Sequence, residues 1–281
     1  MTSRHARNRW PPRLALLAAG LTAVAGCGSD NGDSKPLILA ATHTLEDSGL
    51  LDTLAVAFRA SHPGQDLQVV LGGSGEVLLL GRRGDVDVLL THAPADEEAF
   101  MRRGLGMDRH QVMHNDFVLL GPPADPASVG SAATADEAFR RLRLSGAPFV
   151  SRGDDGGTHK KEKRIWEMIG VTPNWSEYVE AGVGMADALR LAAERGAYIL
   201  SDRATFMNLR RELAIDILFE GDPLLRNQYS VMIVREPRNP EGAAAFVEWI
   251  TSPQARALIA GYGRERFGQQ VFFPDSVDSP L

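Results

Sequence analysis

Residues 151–162, SRGDDGGTHKKE, crowd a hydroxyl, a guanidinium, two carboxylates and a run of glycines just before what reads as a helix. Three chemistries could use such a turn: a nucleophilic serine, a metal ion or a bound anion. The nucleophile reading fails on residue types. The position that a hydrolase turn would give to serine is Asp155, and the chain has no G-x-S-x-G elbow. Ser74 in GGSGE comes nearest, and no general base can be assigned to it. The metal reading has His110 and His114, four residues apart as on one helical face, but no third ligand and only one cysteine in the chain. No metal site and no cofactor is expected.

The anion reading draws on three loops. Thr42-His43-Thr44 follows the apolar run LILAA, Gly72-Gly73-Ser74-Gly75 follows LQVVL, and Ser151 to Thr158 follows PFV. Each ends where a helix is expected to start. There the first backbone N–H groups lack intrahelical partners and the helix dipole favours negative charge. Hydroxyls add donors, glycines let the backbone approach closely, and Arg152 supplies a permanent cation with forked donors. One such loop is a common turn. Three in one chain, with a crossing segment between them, point to a ligand.

The elements needed to position these loops are legible from periodicity. Strands are expected at 35–41, in DLQVVLGG, in VDVLLTHA and in NDFVLLG. Helices are expected in EDSGLLDTLAVAFRASHPG, SGEVLLLGRRGD and ADEEAFMRRGLG. A proline-rich crossing, GPPADP, leads to a second unit. That unit has a helix over 134–144, the strand PFVS, a helix over 160–169 and the strand in AYILSD. The late strand YSVMIVREP and a long helical C-terminal region follow. Alternating strands and helices predict a largely parallel sheet covered on both faces, arranged as two α/β lobes. One lobe is expected from residues 36–119 plus 231–281 and the other from 120–230. Their interlobe cleft is the expected ligand site.

The first 26 residues are of another kind. Arg4, Arg7, Arg9 and Arg13 precede the apolar run Leu14 to Ala25, with no acidic residue. The run is too short for a stable membrane span and reads as a secretory signal. Val24-Ala25-Gly26-Cys27 matches a bacterial lipobox, so the single cysteine is expected to carry lipid, with residues 27–35 as a flexible tether. Loss of the leader removes four arginines and leaves 26 basic against 36 acidic residues, about −10. That balance excludes nucleic acid as an expected partner. It also means that an anion must be held by local dipoles and placed cations against the global field.

Taken together, EDSGLLD, GDVDVLLTHAPADEEAF, VMHNDFVLLGPPADP, SRGDDGGTHKKE, LSDRATF and EGDPLLRNQYSV occur in the order seen in the tungstate-binding lipoproteins of ABC importers, and the chain resembles that family. The resemblance implies a type II periplasmic-binding-protein fold, two lobes joined by hinge crossovers and closing on a tetrahedral oxyanion. It implies tungstate, or molybdate, as ligand, with phosphate or sulfate binding and an oxyanion-sensing role as the alternatives. It implies an extracytoplasmic monomer that is lipid-anchored at Cys27 and serves a permease with a cytoplasmic ATPase. It carries the ligand role onto Thr42, His43, Thr44, Ser74, Ser151, Arg152 and Thr158, with Asp154, Asp155, His159 and Arg203 around them. Three positions depart from the family pattern: His43 and Leu45 stand where hydroxyl residues are usual, and Gly156 replaces a usual serine.

Overall fold

The segment LILAAT forms β1 (Leu37–Thr42), and five of its six residues are buried because parallel neighbours flank it on both sides. Those neighbours are β2 (Leu67–Gly72) and β3 (Val88–Thr91). A computed structural model describes residues 35–275 of the chain. The expected leader, the lipidation site Cys27 and the tether up to residue 34 lie outside the described residues.

The expected first helix is split in two. α1 (His43–Asp47) and α2 (Leu50–Ser61) are separated by Gly49, whose φ of 79° is left-handed. A Cβ there would also meet the Tyr262 hydroxyl at 2.7 Å, so this turn requires glycine. α3 (Ser74–Arg83) and α4 (Pro94–Arg102) follow β2 and β3 as expected.

β4 (Gly106–Gly121) is longer than the sequence suggests. Its first part, to which the sequence pattern assigns no element, pairs antiparallel with β9 (Arg226–Val234) from Gly106 through Asp116. Register shifts at Met107/His110 and Gln111/Met113 break the alternation that would have revealed it. His110 and His114 are therefore strand residues, and the helical spacing considered for a metal does not exist. His110 contacts Asp108 at 2.6 Å, and His114 contacts Asp275 at 3.0 Å.

From Phe117 to Gly121, β4 leaves β9 and pairs with β7 (Ile199–Asp202) and β8 (Asp216–Phe219). β4 thus belongs to both halves of the sheet. On its first side the order is β10-β4-β9-β3-β1-β2, where β10 is Phe273–Pro274. On the second side lie α5 (Ala135–Ser145), β5 (Phe149–Ser151), α6 (Gly157–Met168), β6 (Tyr178–Glu180), α7 (Met185–Arg195) and α8 (Arg203–Leu209). β6, α7 and β8 were not anticipated. The C-terminal region is three helices, α9 (Pro240–Ile250), α10 (Pro253–Gly261) and α11 (Arg264–Phe267). Ser252 caps α10 by accepting from the Ala255 N–H, and Pro253 cannot continue the preceding helix.

Each half of the sheet is covered on both faces. α2, α9 and α10 bury Leu54, Phe58, Phe246 and Ile259 on one face of the first half, and α3 and α4 bury Val77 and Phe100 on the other. In the second half Phe139 and Trp166 pack on one face, and Leu189 and Phe206 on the other. Full burial of such side chains contributes roughly 1.5–3 kcal/mol each. This fold is the expected two-lobed α/β arrangement, but its main sheet is mixed rather than largely parallel. β1 runs parallel to β2 and β3, whereas β4 and β9 run antiparallel to every strand they pair with, because each crosses between units instead of returning through a helix.

Candidate anion-binding site

α3 and α6 start in opposite lobes, and their N-termini meet. The N-cap residues are Gly73 and Gly156, and neither helix has a side-chain cap. A Cβ built on Gly73 would lie 3.6 Å from the Gly156 Cα. Two uncapped N-termini in such proximity concentrate positive potential. Ser74 is the first residue of α3, and Thr158 the second of α6. Ser151 and Arg152 leave the end of β5 beside the same turn.

All four of these side chains are buried. Ser74 Oγ, Ser151 Oγ, Thr158 Oγ1 and Arg152 Nε have no hydrogen-bond partner among the described residues. Buried polar atoms without partners are costly and rare in folded proteins. Three hydroxyls and one guanidinium N–H left unpaired in two loops that converge suit a ligand rich in acceptor oxygens.

The two aspartates of the loop have separate tasks. Asp154 holds the Arg152 Nη2 with one oxygen, and with Oδ1 it accepts the Gly156 N–H at 3.0 Å. It therefore braces the arginine and fixes the turn into α6. Asp155 has a left-handed φ of 57° and turns its carboxylate outward, 3.6 Å from Lys160 and 3.7 Å from Lys163. His159 Nδ1 accepts the Asp155 N–H at 3.0 Å, so the imidazole supports the loop. Burial pushes its pKa down.

Thr42 and Thr44 are buried and 3.2 Å apart through their hydroxyl oxygens. His43 is not with them. It stands half exposed, 4.0 Å from Glu46, in the wall of a cavity of about 510 Å³ that Asp47, Gly73 and Asp154 also line. Leu45 is buried in the core beneath β1, so it withdraws a side chain from the site. Arg203 is elsewhere too. Its guanidinium is held by Asp116, at 2.8 Å through Nε, and by Glu220, and its charge is spent there.

Sequence reasoning missed the residues behind the loops. His92, considered to have no constellation, is buried between Thr44 Oγ1 at 3.1 Å and Asn227 Oδ1 at 2.8 Å, and burial drops its pKa to about 4. Asn227 continues to Asn115, and Asn115 to Asp202. Burial raises the Asp202 carboxyl to about 6. Glu162 sits on the buried face of α6 with its pKa pushed by burial to about 7. His92 and Asp202 stand inside blocks already singled out, THAP and LSDRATF, but nothing local marks them.

A two-lobed α/β fold with donors meeting across the cleft defines an extracytoplasmic-type solute-binding protein, and the chain belongs to the PBP superfamily, whose domain model matches residues 23–254. Within that family it is 41% identical over 275 residues to the tungstate-binding protein TupA of Peptoclostridium acidaminophilum, covering 94% of this chain and 96% of the relative. The crystal structure of the tungstate ABC transporter from Geobacter sulfurreducens superposes with a TM-score of 0.74 at 39% identity, over 81% of this chain and 99% of that one. The tungstate-binding protein TupA from Desulfovibrio alaskensis G20 gives 0.72 at 37% identity, over 86% and 100%.

Proposed function

We propose that the protein captures tungstate, and with it molybdate, and delivers it to an ABC permease driven by a cytoplasmic ATPase. The observation that carries this reading is the set of four buried, unpartnered donors at two helix N-termini from opposite lobes. Tungstate and molybdate are dianions whose oxygens only accept, so a site with free hydroxyls, a guanidinium N–H and two helix N-termini suits them. Contacts made to both lobes at once favour the closed form over the open one, which is how binding drives closure. The relatives named for tungstate support the choice of ligand. Hydrogen phosphate must also donate, and the loop's Asp154 carboxylate, which could accept its proton, is already engaged by Arg152 and the Gly156 N–H.

The ligand-contacting residues on this reading are Ser74, Ser151, Arg152 and Thr158, with Asp154 as the brace of Arg152. No covalent step is part of the function. We place one lobe in residues 36–119 plus 231–281 and the other in 120–230, and the passage of β4 from β9 to β7 at 116–117 lies close to the first crossing. The protein acts outside the cytoplasm as a monomer, held to a membrane by lipid on Cys27. Cys27→Ser should move it from the membrane fraction to the soluble one or block its processing, and unchanged membrane retention would remove the anchor from this account.

Calorimetry with tungstate, molybdate, sulfate and phosphate tests the ligand. Tungstate and molybdate should bind at least a hundredfold tighter than the other two. Arg152→Glu should lose at least a hundredfold, because one charge-assisted contact is replaced by repulsion. Preference for phosphate, or full affinity in Arg152→Glu, would refute this reading of the site.

A further inference from the structure

His92 belongs to no residue set read from the sequence, yet it is bonded to the turn after β1 and to β9. Its ring is stacked on Tyr229 with centroids 4.9 Å apart and planes at 15°. A direction for the hydrogen bonds around it follows from the far end of a chain, in which Asn227 Nδ2 also donates to the Tyr229 hydroxyl at 3.2 Å. Asp202 caps α8, where its Oδ1 accepts the Thr205 N–H at 2.9 Å. An oxygen held as an acceptor is approached by a donor, so Asn115 turns its Nδ2 to it at 3.5 Å. The Asn115 Oδ1 is then free to accept from Asn227 Nδ2 at 2.7 Å. Asn227 accordingly presents Oδ1 to His92 Nδ1 at 2.8 Å, and that nitrogen carries the proton. A neutral imidazole has one N–H, so Nε2 is bare and accepts. Its partner, at 3.1 Å, is Thr44 Oγ1. Thr44 has a single hydroxyl proton, and it is spent on His92. The oxygen can then only accept, and Thr42 Oγ1 stands 3.2 Å away as its donor.

We propose that His92 is a positioning residue of the anion site. It draws the Thr44 proton away from the cleft, so that Thr42 and Thr44 brace the turn after β1 while Ser74, Ser151, Arg152 and Thr158 remain the side-chain donors to the anion. The consequence for binding rests on the oxyanion reading above, whereas the tautomer of His92 does not. Asn115 lies on β4, the strand shared between the lobes, and Asn227 on its neighbour β9, so the same chain of hydrogen bonds ties the α8 cap of one lobe to the β1 turn of the other.

Nitrogen-15 NMR of the full chain without added anion reads the tautomer, with the His92 signals assigned by their loss in His92→Gln. Nδ1 should be protonated and Nε2 a bare acceptor, and Thr44→Val should shift Nε2 toward a free acceptor while leaving Nδ1 in place. A proton on Nε2 would overturn the proposal. Tungstate calorimetry adds a second readout. His92→Phe keeps the ring but neither nitrogen, and should bind about tenfold more weakly, as expected for loss of buried hydrogen bonds. His92→Gln can donate to Asn227 and accept from Thr44, and should bind at least fivefold tighter than His92→Phe. Equal affinity of the two variants contradicts a role in proton direction. Where the native protein binds none of the four anions, the oxyanion reading falls, and the spectrum alone decides the tautomer.

Discussion

Glu162 is buried on α6, and its Oε1 accepts from Trp166 Nε1 at 3.0 Å and from the Tyr178 hydroxyl at 2.8 Å. Burial raises its pKa from 4.5 to about 7. The folded state therefore holds the proton more tightly than the unfolded chain. The resulting stabilisation is complete below the unfolded value of 4.5 and is lost as the pH rises through about 7. The shift limits the effect to about 3 kcal/mol. Glu162→Gln keeps an acceptor oxygen for both partners and cannot titrate. Denaturant titrations at pH 5 and pH 8 should show the native protein losing about 2–3 kcal/mol more over that interval than Glu162→Gln. Asp202 has a raised pKa of the same sign, so some decline remains in the variant. Equal declines in both proteins would show that Glu162 does not titrate in this window. At this scale the donors were legible because Ser151, Arg152 and Thr158 share one short segment. His92, Asn115, Asn227 and Asp202 were not, because their partners are distant in the chain: 48 residues separate Thr44 from His92, 135 separate His92 from Asn227, and 87 separate Asn115 from Asp202.

Helix α6 shows how one element serves the site. Its opening glycines are places where a side chain has no room. A Cβ on Gly157 would lie 2.4 Å from His92 Cε1 and 2.5 Å from Nε2. His92 cannot retreat, since it is stacked on Tyr229 and bonded to Asn227. Gly157→Ala should cost about 1–3 kcal/mol by forced overpacking and weaken anion binding about tenfold or more. Thermal unfolding and calorimetry check the two halves of that expectation, and an unperturbed variant would show that the helix start can move away from His92. At Gly156 a Cβ would meet Arg152 Nη2 at 2.9 Å and the Asp154 carboxylate at 3.0 Å. Glycine there lets the Arg152–Asp154 pair close over the helix start, whereas a serine would have to displace it. Element types were readable wherever apolar period and capping residues agreed, as in α5, where Thr134 accepts from the Glu137 N–H. They failed at the bulged start of β4, at the three-residue β6 and in α7, whose buried face includes the small residues Ala188 and Ala192.

Across the whole molecule, the lobes touch through more than the anion loops. Lys160 on α6 pairs with Asp96 on α4, and the Asn208 side chain donates to the Asp47 carbonyl at 2.7 Å. Partly buried contacts of this kind are worth about 1 kcal/mol each, so they guide closure without replacing the ligand. No helix among the described residues is long and apolar enough to cross a membrane. The sequence by itself determined the α/β class, the two-lobe plan and the glycine- and hydroxyl-rich loops, because strand and helix periods, caps and turn residues act over a few positions. Only the tertiary structure decided which of the candidate residues meet. It brought the helix starts after Gly73 and Gly156 together, left His43 at the cavity wall and gave Arg203 to Asp116. It also joined His92 to Thr44 on one side and to Asn227 on the other. Those outcomes depend on partners supplied by distant strands and on burial, which raises or lowers a pKa and leaves a donor without water, and neither is written in any short window of the chain.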